Sequence, residues 1–418
     1  MAEQAPVTDV SPRAGTSGSA GVGGREWLAI ALAVAAVGWG ANQFAPLLLL
    51  YRAELGVSEA TIQATYGLYA AGLIPGLLLG GPLSDRDGRR RVLAPALIIS
   101  LLADLLLIAG GTGVGWLFVG RMVAGVASGA AFSSGTAWIR ELSLAARGDN
   151  SGARRSTVAM TTGFAVGPLI AGLLAQWGPS PALAAYLPHV FLTLVAIPLV
   201  LRTRETRSPN PGVALWEPLL LPAASARRLR NVVVPLAPWV FGASSVALAY
   251  LPALVADRLD GGELLFSAVV TALTMVAGIL VQPLARRVDH PEKPSLVATA
   301  LGIVIAGLLL AAVAAATSRP LLIAVAAVLL GAGYGCCLVC GLGEVQNMAR
   351  PDNLARLTAI FQATAYLGFA APYVLAVVEY VLPTTVLLIA AAAVAGLTML
   401  WTIFQATRGL RATAPPAP

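Results

Sequence analysis

Apolar residues of this chain come in long runs, each separated from the next by a short polar or charged stretch. A helix needs about 20 apolar residues to cross a bilayer, and twelve runs approach or exceed that length. The chain is therefore predicted to be an all-α membrane protein with twelve transmembrane helices and the lipid bilayer as its surroundings. The predicted helices are Trp27–Tyr51, Ile62–Gly80, Val92–Gly110, Gly115–Ile139, Thr157–Trp177, Leu183–Leu201, Val232–Ala256, Leu264–Leu284, Leu296–Ala316, Leu321–Gly343, Leu357–Val378 and Thr384–Ile403.

A proline- and arginine-rich polar stretch divides the runs into two sets of six. The predicted organisation is a disordered cytoplasmic tail at 1–24, an N-terminal six-helix bundle at 25–202, a cytoplasmic linker at 203–230, a C-terminal six-helix bundle at 231–407 and a cytoplasmic tail at 408–418. Small-residue patterns of the first set return in the second at a nearly constant offset, which predicts two pseudo-symmetric bundles. The patterns are Gly125, Gly129 and Gly135, which return as Gly331, Gly335 and Gly341, and 163–165, which return as 368–370.

Charge is scarce and concentrated in the loops. Charged residues make up 11% of the chain, against roughly 25% in soluble domains. The net charge of +7 comes from basic residues in loops, which is typical of topology signals and predicts no nucleic-acid partner. The basic loops predict a cell membrane protein, in a bacterial inner membrane, with both termini cytoplasmic. Lys293 is the only lysine, which excludes a standard phosphate loop and with it direct use of ATP.

The stretch Gly81–Leu93 forms a tight charged turn between the second and third runs. It resembles the loop motif of the major facilitator superfamily, G-x-L-a-D-r-x-G-r-k-x-x-l. The resemblance implies a conformational latch, in which the acidic and basic side chains pair across the cytoplasmic ends of neighbouring helices and lock one conformation. The alternative is an ordinary basic loop that only sets topology. The matching residues are Gly81, Leu83, Asp85, Arg86, Gly88, Arg89, Arg90 and Leu93.

The fifth run contains Gly163, Gly167, Pro168 and Gly172. This pattern resembles the antiporter motif of the same superfamily, g-x-x-x-G-P-x-x-G-G, although Ala171 replaces one glycine. Glycines four residues apart let another helix approach closely, and the proline permits a bend. The resemblance implies antiport, whereas the alternative is the general frequency of glycine and proline in membrane helices.

Two charged residues lie inside apolar runs of the first bundle. Asp104 precedes the end of the third run by about as many residues as Arg121 follows the start of the fourth, so at about 1.5 Å per residue both lie at one depth. A buried carboxylate needs a partner, and we predict an Asp104–Arg121 ion pair. Arg121, with Leu117 and Gly125, also resembles the fourth-helix motif of the superfamily, which implies proton coupling. A purely structural bridge is the alternative.

Glu344, near the inner end of the tenth run, is a further candidate for proton coupling, its alternative being a carboxylate that faces water. In the superfamily the first, fourth, seventh and tenth helices line the cavity. Their uncharged polar and aromatic residues here favour a neutral or amphipathic organic substrate. The residues predicted to line the cavity are Asn42, Gln43, Trp138, Trp239 and Tyr334.

The predicted function is secondary active transport, with proton-coupled efflux of a small organic compound, drug-like or a secondary metabolite, by alternating access. The alternatives are a proton-linked importer or uniporter, and a non-transporting sensor or scaffold on the same fold. His189 and His290 lie near loops or helix ends and no nucleophile–base spacing stands out. We therefore predict no enzyme activity, catalytic residue, metal or cofactor, and a monomeric chain whose partners are a small organic substrate, protons and lipid.

Overall fold

The computed structural model describes residues 25–147, 151–212, 215, 221–288, 295–350 and 353–413. The predicted tail at 1–24 lies outside these ranges. The described residues form helices and no strand, and twelve helices are long and apolar enough to cross a membrane. The predicted all-α fold with twelve spans is confirmed. The helices are α1 Glu26–Leu55, α2 Glu59–Asp87, α3 Arg89–Thr112, α4 Val114–Ala145, α5 Ser151–Trp177, α6 Pro181–Arg202, α7 Ser225–Arg258, α8 Glu263–Val288, α9 Ser295–Thr317, α10 Pro320–Met348, α11 Arg356–Val378 and α12 Thr384–Gln405.

Several helices extend past the apolar runs that predict them. The clearest case is α7, which begins at Ser225 and not at Val232, so that helix replaces the last part of the predicted linker. In α2 the helix begins at Glu59 because the Ser58 hydroxyl accepts a hydrogen bond from the Thr61 N–H at 3.2 Å and caps the first turn. Apolar runs mark the part of a helix that contacts lipid, whereas backbone hydrogen bonding continues into the polar turns.

The two halves, α1–α6 and α7–α12, repeat the same glycine contacts. In α4, a Cβ at Gly125 or Gly129 would lie closer than 3.0 Å to a backbone carbonyl oxygen of α2. In α10, a Cβ at Gly331 or Gly335 would meet carbonyl oxygens of α8 in the same way. The contacted carbonyls belong to Tyr69 and Leu73 in α2 and to Thr274 and Gly278 in α8, each 205 residues apart (274 − 69 and 278 − 73). The predicted repeat therefore corresponds to a repeated helix–helix contact.

Both α1 and α7 have irregular backbone near the middle of the fold. The α1 helix is interrupted at Gln43, between helical segments Glu26–Asn42 and Phe44–Leu55. The α7 helix contains a π turn at Val246–Tyr250 and continues as 3₁₀ helix over Leu251–Arg258. Irregular backbone at membrane depth occurs where it is buried in protein, and both Gln43 and the π turn at Val246–Tyr250 are buried.

We name the end of the bundle that carries Gly81–Leu93 the motif end, and the opposite end the far end. Odd-numbered helices run from the motif end to the far end, and even-numbered helices return. The two halves meet along a seam where α2 packs on α11 and α5 packs on α8. Large apolar side chains on the outer faces are exposed, including Phe191 at 70% and Leu397 at 66%, as expected for surfaces that contact lipid.

Candidate functional site

A small cavity lies on the seam between the two halves. Its volume is about 20 Å³, room for about one water molecule. Asn42 and Ser244 supply polar groups, and none of the described residues that line the cavity is charged. Most of the wall is aromatic, from α2, α5, α7, α10 and α11. The seven rings belong to Tyr66, Tyr69, Phe164, Phe241, Tyr334, Tyr366 and Phe369.

The rings pack against one another across the seam. Phe241 and Tyr366 are stacked, with ring centroids 4.2 Å apart and planes 8° apart. Phe369 of the second half contacts Tyr66 and Tyr69 of the first, at centroid distances of 5.3 and 5.7 Å. Such pairs add about 0.5–1.5 kcal/mol each beyond the burial of their area. The contracted cavity is therefore filled by its own aromatic walls.

The residues predicted to line the cavity divide into two groups. Asn42 and Tyr334 line it. The side chains of the other three bind elsewhere: Gln43 donates to Asp104, Trp138 donates from Nε1 to the Arg204 carbonyl at 3.2 Å, and Trp239 donates from Nε1 to the Thr398 hydroxyl at 3.3 Å. Placing a residue on a cavity-lining helix does not fix which face it occupies, and these three face the interior of their own half or the linker.

Side chains join the two halves at the far end. Gln63 of α2 donates to the Ala249 carbonyl of α7 at 2.7 Å. Gln176 of α5 donates to the Gly261 carbonyl at 2.6 Å and accepts from the Leu264 and Leu265 N–H groups at the start of α8. These bonds close the seam on the far side of the cavity.

Asp104 does not form the predicted ion pair with Arg121. Its carboxylate contacts His189 of α6, with Nδ1 and Oδ2 2.6 Å apart, and accepts from Gln43 Nε2 at 3.0 Å. His189 Nε2 lies 3.3 Å from the Thr193 hydroxyl. The α3 helix packs on α6 as well as on α4, and the partner of Asp104 is the histidine of α6.

Arg121 is fully buried among aromatic rings and not beside a carboxylate. Its guanidinium carbon lies 4.4 Å from the Tyr69 ring centroid and 4.7 Å from that of Phe44. Nη1 donates to the Ala41 carbonyl at 3.4 Å, whereas Nε and Nη2 have no hydrogen-bond partner among the described residues. Cation–π contacts of this kind contribute about 2 kcal/mol or more when desolvated, and here they hold a charge beside the cavity wall.

His189 is the site residue that the sequence analysis missed. It lies within α6, not near a helix end, and it is completely buried. The signal was available: His189 follows the start of α6 at Pro181 by eight residues, and Asp104 precedes the end of α3 at Thr112 by eight (189 − 181 and 112 − 104). Because α3 and α6 run in opposite directions, equal counts place the two residues at equal depth.

Ion pairs at the motif end connect the Gly81–Leu93 motif to its neighbours. Arg89 lies 2.7 Å from both the Asp85 and the Glu141 carboxylates and thus joins α2, α3 and α4. The linker also takes part. The Glu205 carboxylate accepts hydrogen bonds from the backbone N–H groups of Arg89 and Arg90 at 3.1 and 2.9 Å, and it thereby caps α3. We call Asp85, Arg89, Glu141 and Glu205 the loop cluster. It belongs to the first half and the linker.

The other members of the motif have separate partners. Arg86 pairs with Asp87 at 2.9 Å, and Arg90 donates to the Thr203 carbonyl at 2.6 Å. Gly88 has φ +105°, a value that glycine tolerates, and it separates α2 from α3. Leu83 lies on α2 before the loop, and a Cβ at Gly81 would lie within ordinary contact of Ser133.

Glu344, the third predicted proton-coupling residue, does not line the cavity. It lies at the motif end of α10, where its carboxylate accepts from Arg228 of α7 at 2.5 and 2.9 Å. This ion pair joins two helices of the second half, at the same end of the bundle as the loop cluster.

The glycines of the α5 motif serve two contacts. A Cβ at Gly163 or Gly167 would collide with the α1 backbone at Ala35 and Trp39, so these two glycines permit close packing within the first half. Gly172 packs across the seam against Ala268 and Leu264 of α8. Pro168 lies between them, inside the helix. The motif thus connects α1, whose residues Ala41 and Asn42 line the cavity, to the far-end seam.

Comparisons with known proteins agree with this architecture. The family model described as Major Facilitator Superfamily matches residues 28–373. A chloramphenicol resistance protein of Pseudomonas aeruginosa is 27% identical over 277 residues, which cover 66% of this chain and 64% of that protein. The multidrug resistance protein MdtL of Klebsiella pneumoniae is 31% identical over 88 residues, which cover 21% of this chain and 22% of that protein. The chain thus matches less than two thirds of each relative's length.

Solved structures share the fold at low sequence identity. A peptide transporter POT in complex with sulfate superimposes with a TM-score of 0.74 at 15% identity, over 92% of this chain and 95% of that one. A D-xylose-proton symporter superimposes with a TM-score of 0.68 at 18% identity, over 92% and 98% of the two chains. At these identities the likeness concerns the fold alone.

Proposed function

The chain belongs to the major facilitator superfamily, and on that premise we propose that it exports small, uncharged aromatic or amphipathic organic compounds in exchange for protons. The observation that carries this proposal is the cavity on the seam. Its described lining has seven rings, four of them tyrosines, the polar side chains of Asn42 and Ser244, and no charged residue. Rings offer large apolar area and face-selective contacts, and Asn42 and Ser244 provide hydrogen bonds that orient a bound compound.

The charge of Arg121 bears on the substrate class. The guanidinium stacks on Tyr69 and lies near Tyr66, at 5.7 Å from that ring's centroid, and both rings line the cavity. A cationic substrate would therefore approach a fixed positive charge in surroundings of low dielectric, where repulsion is strong. This favours uncharged compounds over organic cations.

Alternating access would proceed from the arrangement described above. With the far end closed by Gln63 and Gln176, the solute would enter from the motif end. Tilting one half against the other would break those bonds, open the far end and expand the cavity as the rings separate. The predicted cytoplasmic position of the motif end makes this direction export.

The export direction is supported by the α5 motif and by relatives named for resistance. Its test begins with growth of an efflux-deficient bacterial host that expresses the chain, against a panel of uncharged aromatic, cationic and anionic toxic compounds. We expect tolerance to rise for uncharged aromatic compounds and not for cations. A rise in tolerance to an anionic or cationic compound would refute the proposed substrate class.

Everted membrane vesicles then test direction and coupling for the compound that the panel identifies. Acidifying the vesicle interior should drive the compound inward, which corresponds to export from a cell. Collapse of the pH gradient with a protonophore should release it. If the compound instead leaves acid-loaded vesicles, the chain is an importer, and if no gradient moves any compound of the panel, the proposed transport activity is wrong.

A further inference from the structure

We propose that Asp104 and His189, which we call the buried pair, form the proton-binding site of this protein. We further propose that α1 residues 41–44, the α1 connector, relay the protonation state of the pair to the cavity. The inference rests on the proposed function, since it names the group that would carry the exchanged proton. The sequence predicts a coupling role for Asp104 but none for His189, and the inference gives the proton-binding role to the two residues together.

The geometry of the buried pair suits a reversible proton site. The Asp104 and His189 side chains are only 3% and 1% exposed, and Nδ1 and Oδ2 lie 2.6 Å apart. Gly40 of α1 makes room for the ring, because a Cβ there would lie 2.8 Å from Nε2 and Cε1. Three helices, α1, α3 and α6, thus enclose an imidazole and a carboxylate in direct contact.

The proton balance follows from the contacts. An ionised Asp104 can only accept, so Nδ1 carries the hydrogen that it shares with Oδ2, and Nε2 keeps a lone pair that faces the Thr193 hydroxyl. A hydronium ion gives its proton to Nε2, where a new N–H bond forms, and becomes a water molecule. The charge of the pair changes from −1 to zero. Release to water on the other side of the membrane reverses this step.

Other ionisable groups near the pair set its electrostatic surroundings. From α1 comes Tyr51, which donates to the Leu107 carbonyl at 2.6 Å, and from α6 comes Tyr186, which lies against Tyr51. From α4 comes Arg121, which, like Asp104, is an electrostatic neighbour of Tyr186. The α5 helix, which also packs on α6, carries its basic residues Arg154 and Arg155 near the motif end, away from the pair.

The α1 connector joins this site to the cavity through four consecutive residues. Ala41 and Asn42 line the cavity. Gln43 donates to Asp104 at 3.0 Å, and Phe44 stacks under Arg121. The helical segment Glu26–Asn42 ends at this point, and Pro46 has no N–H to bond the Asn42 carbonyl, so the helical ladder lacks one bond at the connector. Asp104 stays ionised when Nε2 takes the proton, but the new imidazolium charge beside it weakens the attraction between the carboxylate and the Gln43 N–H. Protonation of the pair therefore changes the force on Gln43 and on its neighbour Asn42.

The chain allows a direct test that needs no substrate, because it contains only two histidines. In the variant His290→Gln, a histidine-specific isotope label reports on His189 alone. We would record the imidazole signals by NMR of the full chain in lipid nanodiscs. The expected result is a His189 signal that changes with pH in the otherwise unchanged chain, and a response that is lost or displaced in Asp104→Asn.

A matched control uses Asp257→Asn, which removes an exposed far-end carboxylate and should leave the titration unchanged. A variant is taken as folded when its two-dimensional NMR spectrum keeps the pattern of signals seen for the unsubstituted chain. If the His189 signal does not respond to pH, or if the responses in Asp104→Asn and Asp257→Asn are alike, the buried pair is not the proton site.

Vesicle transport separates this inference from the proposed function. Gln43→Leu, which removes the connector's bond to Asp104, should leave the His189 titration in place yet uncouple substrate accumulation from the pH gradient. A titrating His189 in a chain that moves no compound would uphold the proton site and refute efflux. Proton-driven efflux that persists in His189→Gln would uphold the function and refute this inference, and coupled efflux in Gln43→Leu would refute the connector.

Discussion

The two halves of the molecule share a framework but differ in what they bury. The glycine contacts between α4 and α2 return between α10 and α8. The buried charges do not return. Arg121, four residues before Gly125, corresponds to Ala327, four residues before Gly331, and α9 and α12 contain no ionisable side chain over Ser295–Thr317 and Thr384–Gln405.

Both halves contribute rings to the cavity, whereas the buried charges near it belong to the first half. Phe241, Tyr334, Tyr366 and Phe369 supply four of the seven aromatic side chains of the cavity. A charge within a membrane helix costs about 2.5–3.5 kcal/mol on insertion scales. Building the repeated helix contacts requires no such charge, so the second half can do without one. The comparison teaches that packing is common to both halves, whereas the chemistry is divided between them.

The largest effect should come from neutralising the acid of the first half. We expect Asp104→Asn to abolish proton-driven accumulation of the transported compound in everted vesicles while exchange of labelled for unlabelled compound continues. The amide keeps the shape and can still accept from Gln43, so the fold should survive. If this variant accumulates the compound at the wild-type level under a pH gradient, the proposal that the first half carries the proton-coupling charge is wrong.

The shared framework predicts equal damage in both halves. Gly125→Ala and Gly331→Ala each place a Cβ against a backbone carbonyl of the neighbouring helix, and overpacking of this kind costs about 1–3 kcal/mol. Thermal unfolding in detergent should show similar losses for the two variants. Gly302→Ala on α9, where nothing lies within 4 Å of the added atom, is the control and should not destabilise. A loss confined to one half would contradict the repeat.

Much of this framework could be predicted from sequence because it depends on local and periodic features. Apolar runs indicated all twelve spans, and Gly125 and Gly331 indicated the repeat. The site was harder, since it depends on which non-consecutive helices touch. Asp104 was paired with Arg121 because their helices are consecutive, yet His189, 85 residues away in sequence, is the partner. Likewise the helix that carries Trp138 or Trp239 was identified, but not the face that each side chain occupies.

A third prediction compares the ion pairs at the motif end. Arg89 is almost completely buried between Asp85 and Glu141, whereas the Arg228 side chain beside Glu344 is 35% exposed. Glu141→Gln leaves a buried guanidinium with one carboxylate and should cost about 2 kcal/mol or more. Glu344→Gln should cost about 1 kcal/mol or less, because water replaces the lost partner. Chemical unfolding measures both, and the reverse order would contradict the assignment of the buried ion pair to the first half.

The smallest effect is expected at the two tryptophans that face away from the cavity. Trp138→Phe and Trp239→Phe each remove one hydrogen bond, to the Arg204 carbonyl and to the Thr398 hydroxyl. Each loss should cost about 1 kcal/mol. Neither should change the set of compounds that the chain exports, whereas Tyr334→Ala, which removes a cavity ring, should. Compound selectivity measured in the growth panel distinguishes these outcomes. A change of selectivity in Trp239→Phe would mean that α7 rotates during the transport cycle and presents this side chain to the substrate. The rings that line the cavity would then be only part of what the second half contributes to substrate binding.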